Sequence, residues 1–187
     1  MTNASRYYRN LIEAVLELSD ADDWCTAVTE WIIDNVEEDE TLTESCVCGK
    51  ENLRYLFTIR NEVNGNILYP IGSSCIMKFE RTDLNEEVAV KEQLFKLLHA
   101  IENNNFLTLS SDFFSRKLLL YLLDIGAFKP TAYNRYDPEE DYRFMLNIFN
   151  RGTRRTESQD KKATAIILNS IRPFLRGMLY EKIRRRH

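Results

Sequence analysis

The sequence predicts an α+β protein, mostly α-helical, with one β-hairpin packed between N-terminal helices and a C-terminal helical bundle. Three observations carry that prediction. Apolar residues recur at helical spacing through both ends of the 187-residue chain. Between Leu53 and Tyr69 the period shortens to strand-like alternation around Asn64-Gly65. Three of the four cysteines, Cys46, Cys48 and Cys75, bracket that stretch.

The composition, 44% hydrophobic and 29% charged with 6 Gly and 4 Pro, argues for a packed core and against disorder or low complexity. The length suits a single domain over 1–187: acidic N-terminal helices in 1–42, the hairpin in 43–80, and a helical region with a basic C terminus in 81–187. Nothing repeats at a fixed period. No apolar run approaches a membrane span, and the polar start Met1 to Arg6 lacks a signal peptide's hydrophobic region. These features predict a cytoplasmic protein with no membrane partner, in a compartment where clustered thiols more often hold metal than form disulfides.

Taken in order, Ser5 is placed to cap a first helix whose Tyr8, Leu11, Ile12, Val15, Leu16 and Leu18 form an apolar stripe. Ser19 to Asp23 breaks it. A second helix is predicted from Asp23 to Asn35, with Trp24, Val28, Trp31 and Ile32 on one side as core residues. Glu37 to Glu40 then reads as a solvated acidic connection.

In the hairpin, Leu53, Tyr55, Phe57 and Ile59 alternate with Arg54, Leu56, Thr58 and Arg60. Asn64-Gly65 fits a type I′ turn, with Asn66 to Tyr69 returning antiparallel until Pro70 ends the pairing. That return brings Cys75 towards Cys46 and Cys48, each site beside a glycine, so the segment is zinc-ribbon-like. A closed zinc site takes four ligands and this window has three cysteines. The fourth is open among Cys25, His99 and a carboxylate; alternatively the thiols pack as small apolar groups without metal.

Glu30-Trp31, Cys46-x-Cys48-Gly49, Ile59-x-Asn61, Asn64-Gly65 and Gly72-Ser73-x-Cys75-Ile76-x-x-Phe79 together resemble a family of small uncharacterised proteins of bacteria, phages and other mobile elements. In that family a glutamate-tryptophan helix leads into a cysteine-rich hairpin. The resemblance covers about residues 28 to 80. It implies the hairpin fold and no particular activity, and family members commonly carry a further cysteine near the position of Phe57.

Beyond Cys75, Thr82 or Asp83 is placed to cap a helix whose Val88, Val90, Leu94, Leu97, Leu98 and Ile101 run to a stop at Asn103 to Asn105. A further helix is predicted from Ser111 to Ile125, closed by Gly126, then a tyrosine-rich connection to Pro138 and a helix from Glu139 to Asn150. Arg151 to Arg155 is a cationic loop. The last helix starts near Ser158, buries Ala163, Ile166, Ile167, Ile171, Phe174 and Leu175, and is interrupted at Pro173.

Charge is divided between the ends. Residues 1–50 hold three basic side chains against twelve acidic, a net of −9, and residues 151–187 hold eleven basic against three acidic, a net of +8. No Walker loop, dinucleotide glycine fingerprint, nucleophile elbow or HExxH helix is present, so no enzyme is expected. With the resemblance, these features imply a non-enzymatic phage or mobile-element protein that binds nucleic acid or a nucleoprotein complex. Arg151, Arg154, Arg155, Arg184, Arg185 and Arg186 would contact phosphates. The alternative is a protein inhibitor of a host defence nuclease, an anti-CRISPR or other anti-defence factor, whose acidic N-terminal part occupies a cationic channel.

Overall fold

The computed structural model describes residues 6–152 and 154–185, of which 180–185 by backbone alone. The predicted class holds: helices dominate and one three-stranded antiparallel sheet is present, in the order β1-β2-β3. The chain divides into two compact units, residues 1–91 and 92–187, with the boundary inside helix α4 (Thr82–Glu102).

In the N-terminal unit, α1 (Arg6–Leu18) buries Leu11 and Val15 on its stripe; the Ser5 cap lies outside the described residues. The predicted second helix is only one turn, α2 (Trp24–Ala27), capped by Asp23, whose carboxylate accepts from the Thr26 N–H at 3.0 Å. A 3₁₀ turn at Val28–Glu30 follows, and from Trp31 the backbone is extended as β1 (Trp31–Glu38). The helical reading of Trp31 and Ile32 is therefore corrected. Trp31 and Ile33, two apart, are buried on one face of a strand whose Ile32, Ile33 and Val36 are β-branched, and pairing with β2 (Tyr55–Asn61) outweighs helical spacing.

β1 and β2 pair in register from Trp31 opposite Asn61 to Glu38 opposite Tyr55, with an irregularity between Ile33 and Asn35. β3 (Ile67–Ile71) pairs along the other side of β2, Ile59 opposite Leu68 and Phe57 opposite Ile71. Pro70 does not end this pairing but sits within β3, where an edge strand tolerates a residue that cannot donate. Phe57, Ile59, Trp31, Ile71 and Ile76 are fully enclosed in a core that also contains Cys46, Cys48 and Cys75.

The acidic connection is also different from expectation. Glu37 and Glu38 belong to β1, Glu38 is buried, and Asp39 organises the turn that follows. Its carboxylate accepts from the N–H groups of Thr41 (2.9 Å), Thr43 (2.7 Å) and Glu44 (3.1 Å). The Thr41 hydroxyl and these amides hold its carboxyl well below the usual range.

The hairpin turn is not type I′, because Gly65 takes a positive φ of 79° and Asn64 does not. Side-chain amides shape it instead. The Asn61 carbonyl oxygen accepts from Val63 N–H at 2.8 Å, while Asn64 and Asn66 donate to the Leu18 carbonyl at 3.1 and 3.0 Å, satisfying the open end of α1. Beneath the turn, buried Glu30 accepts from the N–H groups of Asp20 and Ala21, both at 2.8 Å, and from the Asn61 amide at 2.6 Å. Trp31 Nε1 donates to Ser19 Oγ at 2.9 Å. Thus Glu30, Trp31, Asn61 and Asn64 form one clamp between α1 and the hairpin.

The clamp makes stability pH-dependent. The Asp20 N–H, with lesser help from Asn61 and Ala21, lowers the pKa of Glu30 below its ordinary value. The clamp's contribution is present above the unfolded carboxylate range and is lost as pH falls through the lower folded pKa. Glu30→Gln is expected to lower the melting temperature at pH 7, because the new amide N–H groups oppose donors, and to flatten the acid limb of a pH–melting curve. An acid limb identical to the parent's would remove Glu30 from this role.

In the C-terminal unit, α4 buries Leu94, Leu97, Leu98 and Ile101 before the chain turns at Asn104, φ 55°. α5 spans Arg116–Asp124, later than predicted, because Ser115 accepts from Leu118 N–H at 3.1 Å and caps it there. The tyrosine-rich connection contains a 3₁₀ turn, Ala132–Asn134, whose buried Asn134 amide donates to Asp141 Oδ2 at 2.8 Å in α6 (Pro138–Arg151). α7 (Glu157–Ile166) starts at a Thr156–Gln159 capping box. A π turn, Ile167–Ile171, joins it to α8 (Arg172–Arg185), and this wider turn accommodates Pro173, which lacks an N–H and would crowd the Asn169 carbonyl.

Candidate metal centre

Two backbone features bring the thiols together. Around Cys46 the chain curls into a knuckle closed by Gly49 N–H on the Cys46 carbonyl (2.7 Å) and Cys46 N–H on the Lys50 carbonyl (2.8 Å). Gly49 at φ 91° supplies the conformation that L side chains avoid. Val47 N–H then ties the knuckle to the Pro70 carbonyl on β3 at 2.9 Å, and Asn10 on α1 donates to the Cys48 carbonyl at 2.9 Å. The second feature is the one-turn helix α3 (Ser73–Ile76), entered at Gly72, which carries Cys75.

Gly72 is the point of closest approach. A Cβ there would meet Leu53 Cδ2 at 3.0 Å and stand 4.0 Å from Cys46 Sγ. Its N–H instead points at Cys46 Sγ from 3.3 Å. Cys46 Sγ and Cys75 Sγ are 3.6 Å apart, and the sulfurs of Cys46, Cys48 and Cys75 all lie within 4.8 Å of one another. A tetrahedral zinc with Zn–S bonds of about 2.3 Å has a sulfur–sulfur edge of about 3.8 Å. The grouping therefore fits a metal ion held by three thiolates, and no thiol is in a disulfide.

The electrostatics suit a cation. A hydrogen bond between Cys75 and Cys46 lowers the Cys46 pKa, with smaller support from the Cys48 and Gly72 N–H groups. The same interaction raises Cys75, and burial raises Cys48. The shifts favour proton loss at Cys46 and oppose it at Cys75 and Cys48, and a soft cation bound by all three sulfurs would displace their protons and offset the charge.

Of the sequence-predicted ligands, the structure brings together Cys46, Cys48 and Cys75. Cys25 is exposed on α2 and is not one of the three grouped sulfurs. His99, in the last turn of α4, faces Glu102 on its own helix at 3.6 Å and is likewise outside the group. Among the described residues no carboxylate joins the three thiols.

The six predicted phosphate-binding arginines fare differently. Arg151 ends α6 and Arg154 lies two residues beyond Gly152, both exposed. Arg155 is turned inward: Nε donates to the Gly152 carbonyl and Nη1 lies 3.5 Å from Asp160 Oδ1. It organises the loop more than it faces solvent. The side chains of Arg184 and Arg185 and all of Arg186 lie outside the described residues.

Sequence reading missed a groove of about 500 Å³ beside that loop, lined by Phe106, Thr108, Leu109 and Ser110 on one side and Gly152, Arg155 and α7 residues on the other. In the sequence Phe106-Leu107 is an ordinary apolar pair, and only the fold separates exposed Phe106 from buried Leu107. No described helix is long and apolar enough to cross a membrane. No family model matches the chain, and no curated protein or solved structure matches it.

Proposed function

We propose that this is a non-enzymatic binding protein of phage or mobile-element type that engages nucleic acid or a nucleoprotein complex, with zinc as a structural element of its N-terminal unit. The observation that carries the binding assignment is the exposed pair Arg151 and Arg154, one directly before and one two residues after the groove-lining Gly152, in a segment of net charge +8. The thiols support a structural metal, because they are buried in the core instead of lining a cleft open to substrate.

The test is salt-dependent binding. Arg151→Glu with Arg154→Glu is expected to weaken DNA or RNA binding by about tenfold or more and to make the slope of log affinity against log salt shallower by about two. Absence of binding to either nucleic acid at low ionic strength would end this reading.

One surface favours inhibition of a host defence nuclease instead. Tyr69 is 45% exposed on the edge strand, and after partial burial the carboxylates of Glu37, Glu44 and Asp39 are what raise its pKa. An aromatic ringed by acids suits a cationic protein channel. A stoichiometric protein partner that survives nuclease treatment of a host lysate and is lost on Tyr69→Lys would favour this second reading.

A further inference from the structure

The groove of the C-terminal unit points to the form of ligand in the nucleic-acid reading, on which this inference rests. We propose that it receives one unpaired base of a single-stranded nucleic acid, stacked on Phe106, with Arg151 and Arg154 on the adjoining phosphates.

Phe106 is 68% exposed while its neighbours Leu107 and Leu109 are 1% and 3% exposed. The segment had core available, and this ring stays out of it, on the rim of the groove. An exposed aromatic face is what a base stacks on, irrespective of its identity. The volume of about 500 Å³ accommodates a nucleobase and its sugar. A base paired within a duplex could not enter.

The lining is mixed in the way a base edge requires. Thr108 Oγ1 donates to Ser110 Oγ across a long 3.4 Å, which leaves the Ser110 hydroxyl free to donate and both oxygens able to accept. Asp160 and Thr164 line the opposite side. The anionic groups here are already matched: Arg155 faces Asp160 at 3.5 Å, and Lys161 pairs with Glu157 at 2.6 Å. Arg151 directly precedes Gly152, which lines the groove, and Arg154 lies two residues beyond it, so the segment that forms one wall carries two exposed cations. That charge favours a nucleic acid over an aromatic peptide side chain.

The experiment is fluorescence anisotropy with a short mixed-sequence oligonucleotide, single-stranded and as a duplex, on the full chain at low and moderate ionic strength. Phe106→Ala is expected to retain the parent melting temperature and to weaken single-strand binding by roughly 5- to 100-fold with little change for duplex. Phe106→Trp should retain binding, and its added fluorescence should be quenched by the single strand. If Phe106→Ala binds the single strand as the parent does while the double arginine reversal weakens it, the groove inference fails and the nucleic-acid reading survives. If neither oligonucleotide binds the parent protein, that reading itself fails. Quenching of the Phe106→Trp variant by an aromatic peptide and not by the oligonucleotide also overturns the proposal.

Discussion

Purified without chelator, the protein is expected to contain about one zinc per chain, and a strong chelator is expected to lower its melting temperature by about 10 °C or more. The thiols come from two segments, the knuckle at Cys46 to Gly49 and the helix at Cys75, so one ion would join parts of the chain far apart in sequence. Cys48→Ser and Cys75→Ser should each lose the metal and most of that increment. Cys25→Ser should lose neither, since Cys25 is exposed and outside the group.

The pH dependence has a defined sign. Ligand sulfurs must give up protons to bind, so metal affinity rises with pH and release accompanies acidification. The competing account is that the thiols simply pack as small apolar groups, for which their burial alone would suffice. Elemental analysis showing no metal, with a melting temperature unmoved by chelator, would establish that account and discard zinc. Either outcome leaves the sheet in place, because its strands are paired independently of the sulfurs.

The thiol cluster was legible because its information is local: two short cysteine sites, glycines beside them, and a reversing segment between. β1 was not, because Trp24, Val28, Trp31 and Ile32 satisfy a helical period while Trp31 and Ile33 satisfy a strand period. Only the long-range partner, β2, decides between them. Acidic residues misled for a similar reason. Composition places carboxylates in water, yet Glu30 is enclosed by backbone N–H groups of Asp20 and Ala21, whose position follows from the end of α1. The groove at Phe106 is built from segments more than forty residues apart, and no periodicity along the chain announces such a meeting.

Phe57→Ala is expected to cost about 3–5 kcal/mol of stability, comparable to or larger than loss of the metal. Phe57 is fully buried in the central strand, opposite Val36 on one neighbour and Ile71 on the other, so truncation opens a cavity at the middle of the sheet. The effect should reach the thiols. Ile71 directly precedes Gly72, whose N–H lies 3.3 Å from Cys46 Sγ, and any loosening of β3 moves that donor and the helix bearing Cys75. Zinc bound at these thiols would therefore be coupled to Phe57 packing, and the coupling would be reciprocal: the variant should bind zinc more weakly, and zinc should restore part of its stability. Urea unfolding of the parent, Phe57→Ala, Cys75→Ser and the double variant, each with and without zinc, measures this as departure from additivity. Phe57→Leu supplies a milder member of the series should the alanine variant not fold. A single-variant cost below about 1 kcal/mol would contradict the core placement of Phe57. Strict additivity in the presence of zinc would instead separate the sulfur cluster from the sheet, leaving the metal to brace only its own loop.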